Sequence, residues 1–382
     1  MKKIYLDYAA ATPMAEEVEA AMRPYLSGMF HNPSATYLSG RAARHGLDRI
    51  RGRIAAQLGA RPAEVVFTAG ATEANNLAIQ GLMKRYPQGE ALVSAIEHES
   101  VLAPAGLFAH KRIPVDEWGR IILNKLSILI TDKTVLISVM LVNNELGTIQ
   151  PLRDIAEIIA QVRDERKKRG VGSPLYLHTD AAQAGNYLDL HAARLGVDMM
   201  TINGGKLYGP KQSGALFIKA GIKLEPLILG GGQEFGLRSG TENIAAGAGL
   251  AAALELAAAQ RQAETSRVMA LRRLFEEEIR ERRPDTVING GQNGRAPHIV
   301  SLTVPGADNE RLMMELDEAG IECAVGSACS ASREEASHVL SAIGLDEETA
   351  RATLRFSLGR QSTEADIRKT VRQLAVLTDG NR

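Results

Sequence analysis

Short, almost uninterrupted apolar runs recur through the middle of the chain, and stretches with helical spacing separate them. The runs are Glu64–Thr68, Ala91–Ala95, Thr134–Met140, Pro174–Thr179, Val197–Ile202 and Gly214–Ile218. A strand covered on both faces shows no polar alternation, because both sets of side chains meet protein. These runs therefore predict buried strands, and the helical stretches supply the crossovers that parallel neighbours require. The repeated order predicts an α/β fold with a mainly parallel central sheet.

Within one crossover, Ile155, Ile158, Ile159 and Val162 share a helical face. Asp154 and Glu157 predict a capping box at its start, and Gly170 predicts its stop. The charge-rich run Arg163–Arg169 reads as the solvated end of that helix. From Ile244 to about Arg283 the spacing predicts one long helix, alanine-rich at first and continued by Val268, Leu271, Leu274, Phe275 and Ile279. Beyond it the order changes. His298–Val304, Ile321–Val325 and Thr353–Ser357 read as strands, and Glu310–Ala319 and Thr363–Leu377 as helices, with Ile367, Val371 and Leu374 on one side of the last. The expectation is a large unit over 15–258 and a smaller α+β unit built from 1–14 and 259–382, which suits a chain of 382 residues.

Composition excludes several classes of function. Acidic and basic side chains balance at 45 each, so there is no bulk electrostatic drive toward nucleic acid or membrane. The two cysteines, Cys323 and Cys329, lie six apart without a CxxC pair, which argues against a disulfide framework and a zinc site. No metal is expected. The N-terminus lacks a signal-like apolar run and no stretch approaches a membrane span, so a cytoplasmic protein is expected. Cys323 sits in an apolar strand and reads as packing.

The residues that suggest chemistry follow the apolar runs. Asp180 closes one and Lys206 follows the next. A carboxylate and an amine delivered to neighbouring strand ends suit pyridoxal phosphate, which needs a lysine for a Schiff base and an acid beside its ring nitrogen. Asp180 also reads as a helix N-cap. Lys206 follows two glycines and precedes Tyr208-Gly209-Pro210, a rigid turn with little bulk around the amine. Gly70-Ala71-Thr72, between a strand and a helix, suits an anion at a helix N-terminus, although a purely structural turn fits as well. His98 follows another strand end, where it is able to stack on a planar cofactor, move a proton or cap the next helix. Gln183 and Asn144 are candidate donors to a phenolic oxygen. Arg355 lies between apolar strand neighbours and fits either a substrate carboxylate or an internal ion pair. Arg238-Ser239-Gly240-Thr241 reads as a second anion loop. Cys329, in Gly326-Ser327-Ala328-Cys329-Ser330, adds a thiol among small residues. With the lysine, it suggests sulfur chemistry on an amino acid, and its neighbours predict a loop that carries sulfur outward.

Together these segments resemble the cysteine desulfurases, pyridoxal-phosphate enzymes of the class V aminotransferase group. The resemblance runs from Tyr5-Leu6-Asp7-Tyr8-Ala9-Ala10-Ala11-Thr12-Pro13 to Arg355-Phe356-Ser357-Leu358-Gly359-Arg360 and includes Gly70-Ala71-Thr72-Glu73, Val142-Asn143-Asn144-Glu145, Arg238-Ser239-Gly240-Thr241 and Gly326-Ser327-Ala328-Cys329. It implies the type I fold of pyridoxal-phosphate transferases. It makes Lys206 the Schiff-base lysine, Asp180 the ring-nitrogen partner and His98 the stacking histidine with a catalytic part. Ala71, Thr72, Asn203 and Thr241 become cofactor residues, Thr241 from the other subunit of a homodimer. Gln183 and Asn144 lie near the phenolic oxygen, Asn144 and Arg355 bind substrate, and Cys329 accepts sulfur. The implied reaction turns L-cysteine into L-alanine and leaves a persulfide on Cys329. Its sulfur goes to an iron–sulfur scaffold protein or a tRNA-thiolation enzyme. A selenocysteine lyase, an aminotransferase of this fold, and a non-catalytic protein that keeps the fold are the alternatives. One departure stands out: the family's usual Ser-x-His-Lys is Asn203-Gly204-Gly205-Lys206 here. Looser cofactor retention, or another donor in place of the histidine, is the expectation.

Overall fold

The apolar runs form the centre of the molecule. The computed structural model describes residues 3–326 and 337–379. It begins with β1 (Ile4–Tyr5), α1 (Glu16–Leu26) and α2 (Leu38–Leu58). The alternating region follows as β2 (Val65–Thr68), α3 (Ala71–Arg85), β3 (Glu90–Ser94), α4 (Glu99–Ala105), β4 (His110–Ile113), α5 (Leu123–Leu129), β5 (Thr134–Ser138), α6 (Leu152–Arg169), β6 (Tyr176–Asp180), α7 (Ala192–Leu195), β7 (Met199–Asn203) and β8 (Gly214–Ile218). After α8 (Ile244–Arg282) come β9 (Val287–Asn289), β10 (Ile299–Thr303), α9 (Asn309–Glu318), β11 (Ile321–Glu322), α10 (His338–Ala342), α11 (Glu347–Arg351), β12 (Thr353–Ser357) and α12 (Glu364–Asp379).

The central sheet has seven strands in the order β2-β8-β7-β6-β5-β3-β4. Its neighbours β7, β6, β5, β3 and β4 are parallel. The exception is β8, antiparallel to both β7 and β2. The connection 204–213 is too short for a crossover helix, so the chain doubles back. The sequence gives no sign of β4. It is an edge strand with three exposed residues, and an edge needs no second apolar face.

The capping box expected at Asp154 is absent. Helix α6 starts earlier, with Pro151 as its N-cap residue, and Asp154 lies in the first turn, where its charge suits the helix dipole. Gly170 stops it in a left-handed conformation, φ 73°, as expected. The run Arg163–Arg169 is not simply solvated. Arg166 is buried and donates to the carbonyls of Thr131, Thr134 and Pro174, while Arg163 donates to Leu175 O and pairs with Asp198. These guanidinium groups occupy carbonyls that the loops before β5 and β6 leave without sheet partners.

Helix α8 spans 39 residues and serves two cores. Its first half places Ile244, Ala248, Leu250 and Leu254 in the core with α2 and the sheet. Its second half places Val268, Leu271, Phe275 and Ile279 against Leu302, Leu354 and Phe356 of a three-stranded antiparallel sheet, β12-β10-β9. Ile367, Val371 and Leu374 of α12 cover the same core. In the N-terminal segment, β1 pairs with β11 in a separate two-stranded sheet, and an Asp7–Ser357 bridge links the segment to β12.

A buried ion pair anchors the loop before α8. Arg51 on α2 and Glu234 form two parallel bonds of 2.7 Å, and Glu234 also accepts the Phe67 N–H at 2.8 Å. Arg51 lies between the Phe67 and Phe235 rings, 4.6 and 4.9 Å from their centroids. Glu234 and Phe235 hold φ of 47° and 59°, a conformation that side chains resist. Glu234→Ala strands the Arg51 charge and should lower unfolding free energy by about 3–5 kcal/mol in urea titrations. A loss below about 1 kcal/mol would mean that water reaches the pair.

Candidate functional site

Every strand of the central sheet except β8 points the same way, so the loops after β2, β3, β5, β6 and β7 share one edge. In open α/β sheets this carboxyl edge is where ligands bind. It gathers Ala71 and Thr72 after β2, His98 after β3, Asn144 after β5, Asp180 and Gln183 at β6, and Asn203 and Lys206 at β7.

At one end lies an anion cradle. Gly70 holds φ 128° immediately before α3. A Cβ on Gly214 would lie 2.7 Å from the Gly70 Cα, so the start of β8 requires glycine to let this loop pass. Ala71 and Thr72 are the first residues of α3, where N–H groups have no intrahelical acceptor. Asn203 Oδ1 accepts the Gly205 N–H at 3.1 Å, which leaves its NH2 group for a ligand. A Cβ on Gly205 would meet Lys211 Cδ at 3.4 Å and Asn203 Oδ1 at 3.5 Å, ordinary contacts that admit a side chain. The Lys211 stem lies against this space, and its Nζ donates to Thr12 O at 2.5 Å. Lys211 is thus the cation beside the position where the family's histidine is missing.

In the middle, Asp180 is buried at 5 % exposure. Its Oδ1 accepts the Ala182 N–H at 2.9 Å and its Oδ2 accepts Asn75 Nδ2 at 2.7 Å. The helix N-cap expected at Asp180 is not formed: a turn follows β6, and the Ala182 bond closes an Asx turn. His98 caps α4, with Nδ1 accepting the Ser100 N–H at 3.0 Å. Burial pushes the His98 pKa down, the Asp180 charge pulls it up, and the Lys206 charge pushes it down again. Neighbouring Glu97 is fully buried and its pKa is raised well above the ordinary carboxylate range, first by burial and then by Asp180. Glu97 is therefore held neutral.

The N-terminal segment closes the site. Ala9 O accepts Lys206 Nζ at 2.7 Å and Gln183 Nε2 at 2.9 Å. Gln183 Oε1 lies 3.3 Å from Nε2 of buried His298, whose ring stacks on Tyr187. Arg355, 3 % exposed, pairs with Asp7 at 2.7 Å and donates to the Asn144 carbonyl at 3.1 Å. Of the two readings of Arg355, the internal ion pair is the one present. Its Nε is buried without a hydrogen-bond partner among the described residues.

Thr241 is exposed and stands apart from this cluster. With Thr68, Ala69, Gly214 and Arg238 it lines a cavity of about 200 Å³. Cys329 lies outside the described residues. Cys323 is partly buried against the core of the smaller sheet, and burial pushes its thiol up to about 12, an inert group as expected. Among the described residues no group of three His, Cys, Asp or Glu side chains could hold a metal, and no helix is long and apolar enough to cross a membrane.

Residues 4–370 match the family model Aminotransferase class-V. The chain belongs to that family. Class V aminotransferases use pyridoxal phosphate, and the inward carboxylate, the amine on the next strand and the anion cradle fit that cofactor. This class V chain is 38% identical to the cysteine desulfurase IscS of Dictyoglomus turgidum over 97% of its own length and 93% of the relative's. It is 37% identical to a Rattus norvegicus cysteine desulfurase over 98% of its length and 82% of the relative's. Among solved structures, a NifS-like protein from Rickettsia africae superposes with a TM-score of 0.86 at 29% identity, covering 99% of both chains. SspA in complex with cysteine superposes with a TM-score of 0.79 at 36% identity, covering 93% of this chain and 98% of the other.

Two buried histidines tie stability to pH. Burial lowers His178 to about 4 and His298 to about 3, from an ordinary value of 6.5. The unfolded chain therefore binds these protons first. Stability is undiminished above pH 6.5 and falls as pH drops from there through the folded values, by about 1.4 kcal/mol per pH unit for each histidine. Urea titrations at a series of acidic pH values should show a shallower fall for His298→Asn than for the native chain. Equal slopes would mean that His298 already titrates in the folded protein.

Proposed function

We propose that this chain is a cysteine desulfurase: with pyridoxal phosphate it converts L-cysteine to L-alanine and places the sulfur on Cys329 as a persulfide. One observation carries the reading. The amine of Lys206 and the carboxylate of Asp180 sit at the ends of adjacent parallel strands, each held by a defined partner, in a chain similar to curated cysteine desulfurases over nearly its whole length.

When bound, pyridoxal phosphate supplies an aldehyde for an amine and a ring that draws electron density from the substrate's α-carbon. Asp180 would hold the ring nitrogen, and the Asn75 and Ala182 N–H groups fix that carboxylate in place. Ala71, Thr72 and Asn203 hold the phosphate, with Lys211 adding positive charge where Gly205 has no side chain. Thr241 reaches the phosphate of a partner subunit in a homodimer. Gln183 and Asn144 would serve the phenolic oxygen, and His98 would stack on the cofactor.

Lys206 would move the substrate's α-proton. Arg355 exchanges Asp7 for the substrate's carboxylate, a swap of one charge-assisted pair for another. The Cys329 thiolate then attacks the substrate sulfur. A sulfur–sulfur bond forms, the carbon–sulfur bond breaks with its electron pair left on carbon, and a proton completes alanine. In this reading residues 15–258 form the large cofactor-binding unit, and 1–14 with 259–382 form the small unit that carries Cys329. The sulfur passes to an iron–sulfur scaffold protein or a tRNA-thiolation enzyme in the cytoplasm.

Borohydride treatment of protein supplied with pyridoxal phosphate should fix a phosphopyridoxyl mass on Lys206. Lys206→Ala should take no label and lose about 10²–10⁴-fold in alanine formation. Cys329→Ser should abolish the persulfide mass on its peptide. A native chain that takes no label at Lys206 defeats the proposal, and a Cys329→Ser chain that keeps amino-group transfer points to an aminotransferase.

A further inference from the structure

The groups around His98 decide which of its ring nitrogens bears the proton. Ser100 N–H lies 3.0 Å from Nδ1. A backbone amide offers a hydrogen and no lone pair, so Nδ1 must present its own lone pair. Ser100 Oγ lies 2.8 Å from the same nitrogen. That hydroxyl accepts one hydrogen from Asn75 Nδ2 at 2.8 Å, and the other Asn75 hydrogen goes to Asp180 Oδ2 at 2.7 Å. The reverse orientation of the Asn75 amide would set its oxygen against a carboxylate. With both Asn75 hydrogens so used, the Ser100 hydroxyl receives from Asn75 and directs its own hydrogen at Nδ1. Both groups against Nδ1 are donors, and a proton there would face two hydrogens.

Burial acts in the same sense, since it disfavours the imidazolium. Four charged or titratable groups also act on the ring. Asp180 and Glu99 favour its cation, while Lys206 and His338 oppose it. Asn75 is fully buried and Ser100 nearly so, so water does not compete for the chain of bonds from Asp180 to His98.

We propose that His98 is locked as the neutral Nε2–H tautomer, and that Asn75 and Ser100 are the positioning residues that lock it. A ring held this way has no basic nitrogen to offer. Nδ1 is occupied, and Nε2 already carries its hydrogen. His98 then works as a stationary N–H donor and stacking surface, and removal of the substrate's α-proton falls to Lys206. This assignment of labour rests on the desulfurase reading, whereas the tautomer is a property of the fold.

The test is nitrogen-15 NMR of the full chain labelled at histidine, with and without pyridoxal phosphate, the His98 signals being assigned by their loss in His98→Gln. Near neutral pH the native chain should show a protonated Nε2 and an unprotonated Nδ1. Ser100→Thr keeps both donors and should keep this pattern. Ser100→Pro removes both donors at a first-turn helix position, and should give mixed tautomers with a His98 pKa higher than in the native chain, burial still holding it down. Its pH profile for alanine formation should gain a matching limb that Ser100→Thr lacks. Ser100→Ala, the milder variant, should move the Nδ1 frequency alone. A protonated Nδ1 in the native chain, or an unchanged native pattern in Ser100→Pro, overturns the lock. A locked tautomer in a chain that forms no alanine sinks the desulfurase reading and leaves the lock standing.

Discussion

The carbonyl of Ala9 holds the site together. It accepts Lys206 from the end of β7 and Gln183 from the turn after β6, while the Ala9 N–H donates to Ser357 Oγ on β12 at 2.8 Å. A few residues on, Thr12 donates from both N and Oγ1 to Gly205 O and receives the Tyr208 N–H. The N-terminal segment is thus sewn to the lysine turn on one side and to the smaller sheet on the other. Without it, the central sheet would present Lys206 to open water, and Arg355 would lack the Asp7 carboxylate that balances its buried charge.

That arrangement sets the electrostatics. Asp180 accepts from the Asn75 and Ala182 amide hydrogens, whereas Glu97, deeper and one residue before His98, is kept neutral by burial and by Asp180. His178 and His298 are neutral chiefly through burial, which outweighs the pull of Asp180 at His178 and which Arg272, Arg355 and Lys206 reinforce at His298. Asp180 is the carboxylate at the centre of the sheet edge. Lys206, Lys211 and Arg355 lie around it, positions suited to a substrate and a cofactor that both carry anionic groups.

Much of this was legible in the chain itself. Apolar runs covered on both faces marked β2, β3, β5, β6, β7 and β8, and Gly70, Asp180, His98 and Lys206 stood at their ends. Edge strand β4 was invisible because its exposed residues carry no apolar pattern. Asp7, Ala9, Asn75, Ser100, Lys211 and His298 also gave no signal. Most of their partners lie far away in sequence, up to 348 residues in the case of Asp7 and Arg355, Ala9 contributes only backbone groups, and Ser100, though two residues from His98, looks like an ordinary helix-start serine. The burial of Arg166 escaped notice because a charged run at a helix end usually faces water.

The sequence by itself determined the order of the buried strands, the stop of α6 at Gly170, and the residue types that a pyridoxal-phosphate site requires. Those are local properties, written in periodicity and in the φ angles that glycine permits. Only the tertiary structure decided that β8 runs against its neighbours, that Arg355 rests on Asp7, and that the donors around His98 all meet one nitrogen. Each depends on groups brought together by folding, because a hydrogen bond's direction is set by position in space and not by neighbours in the chain.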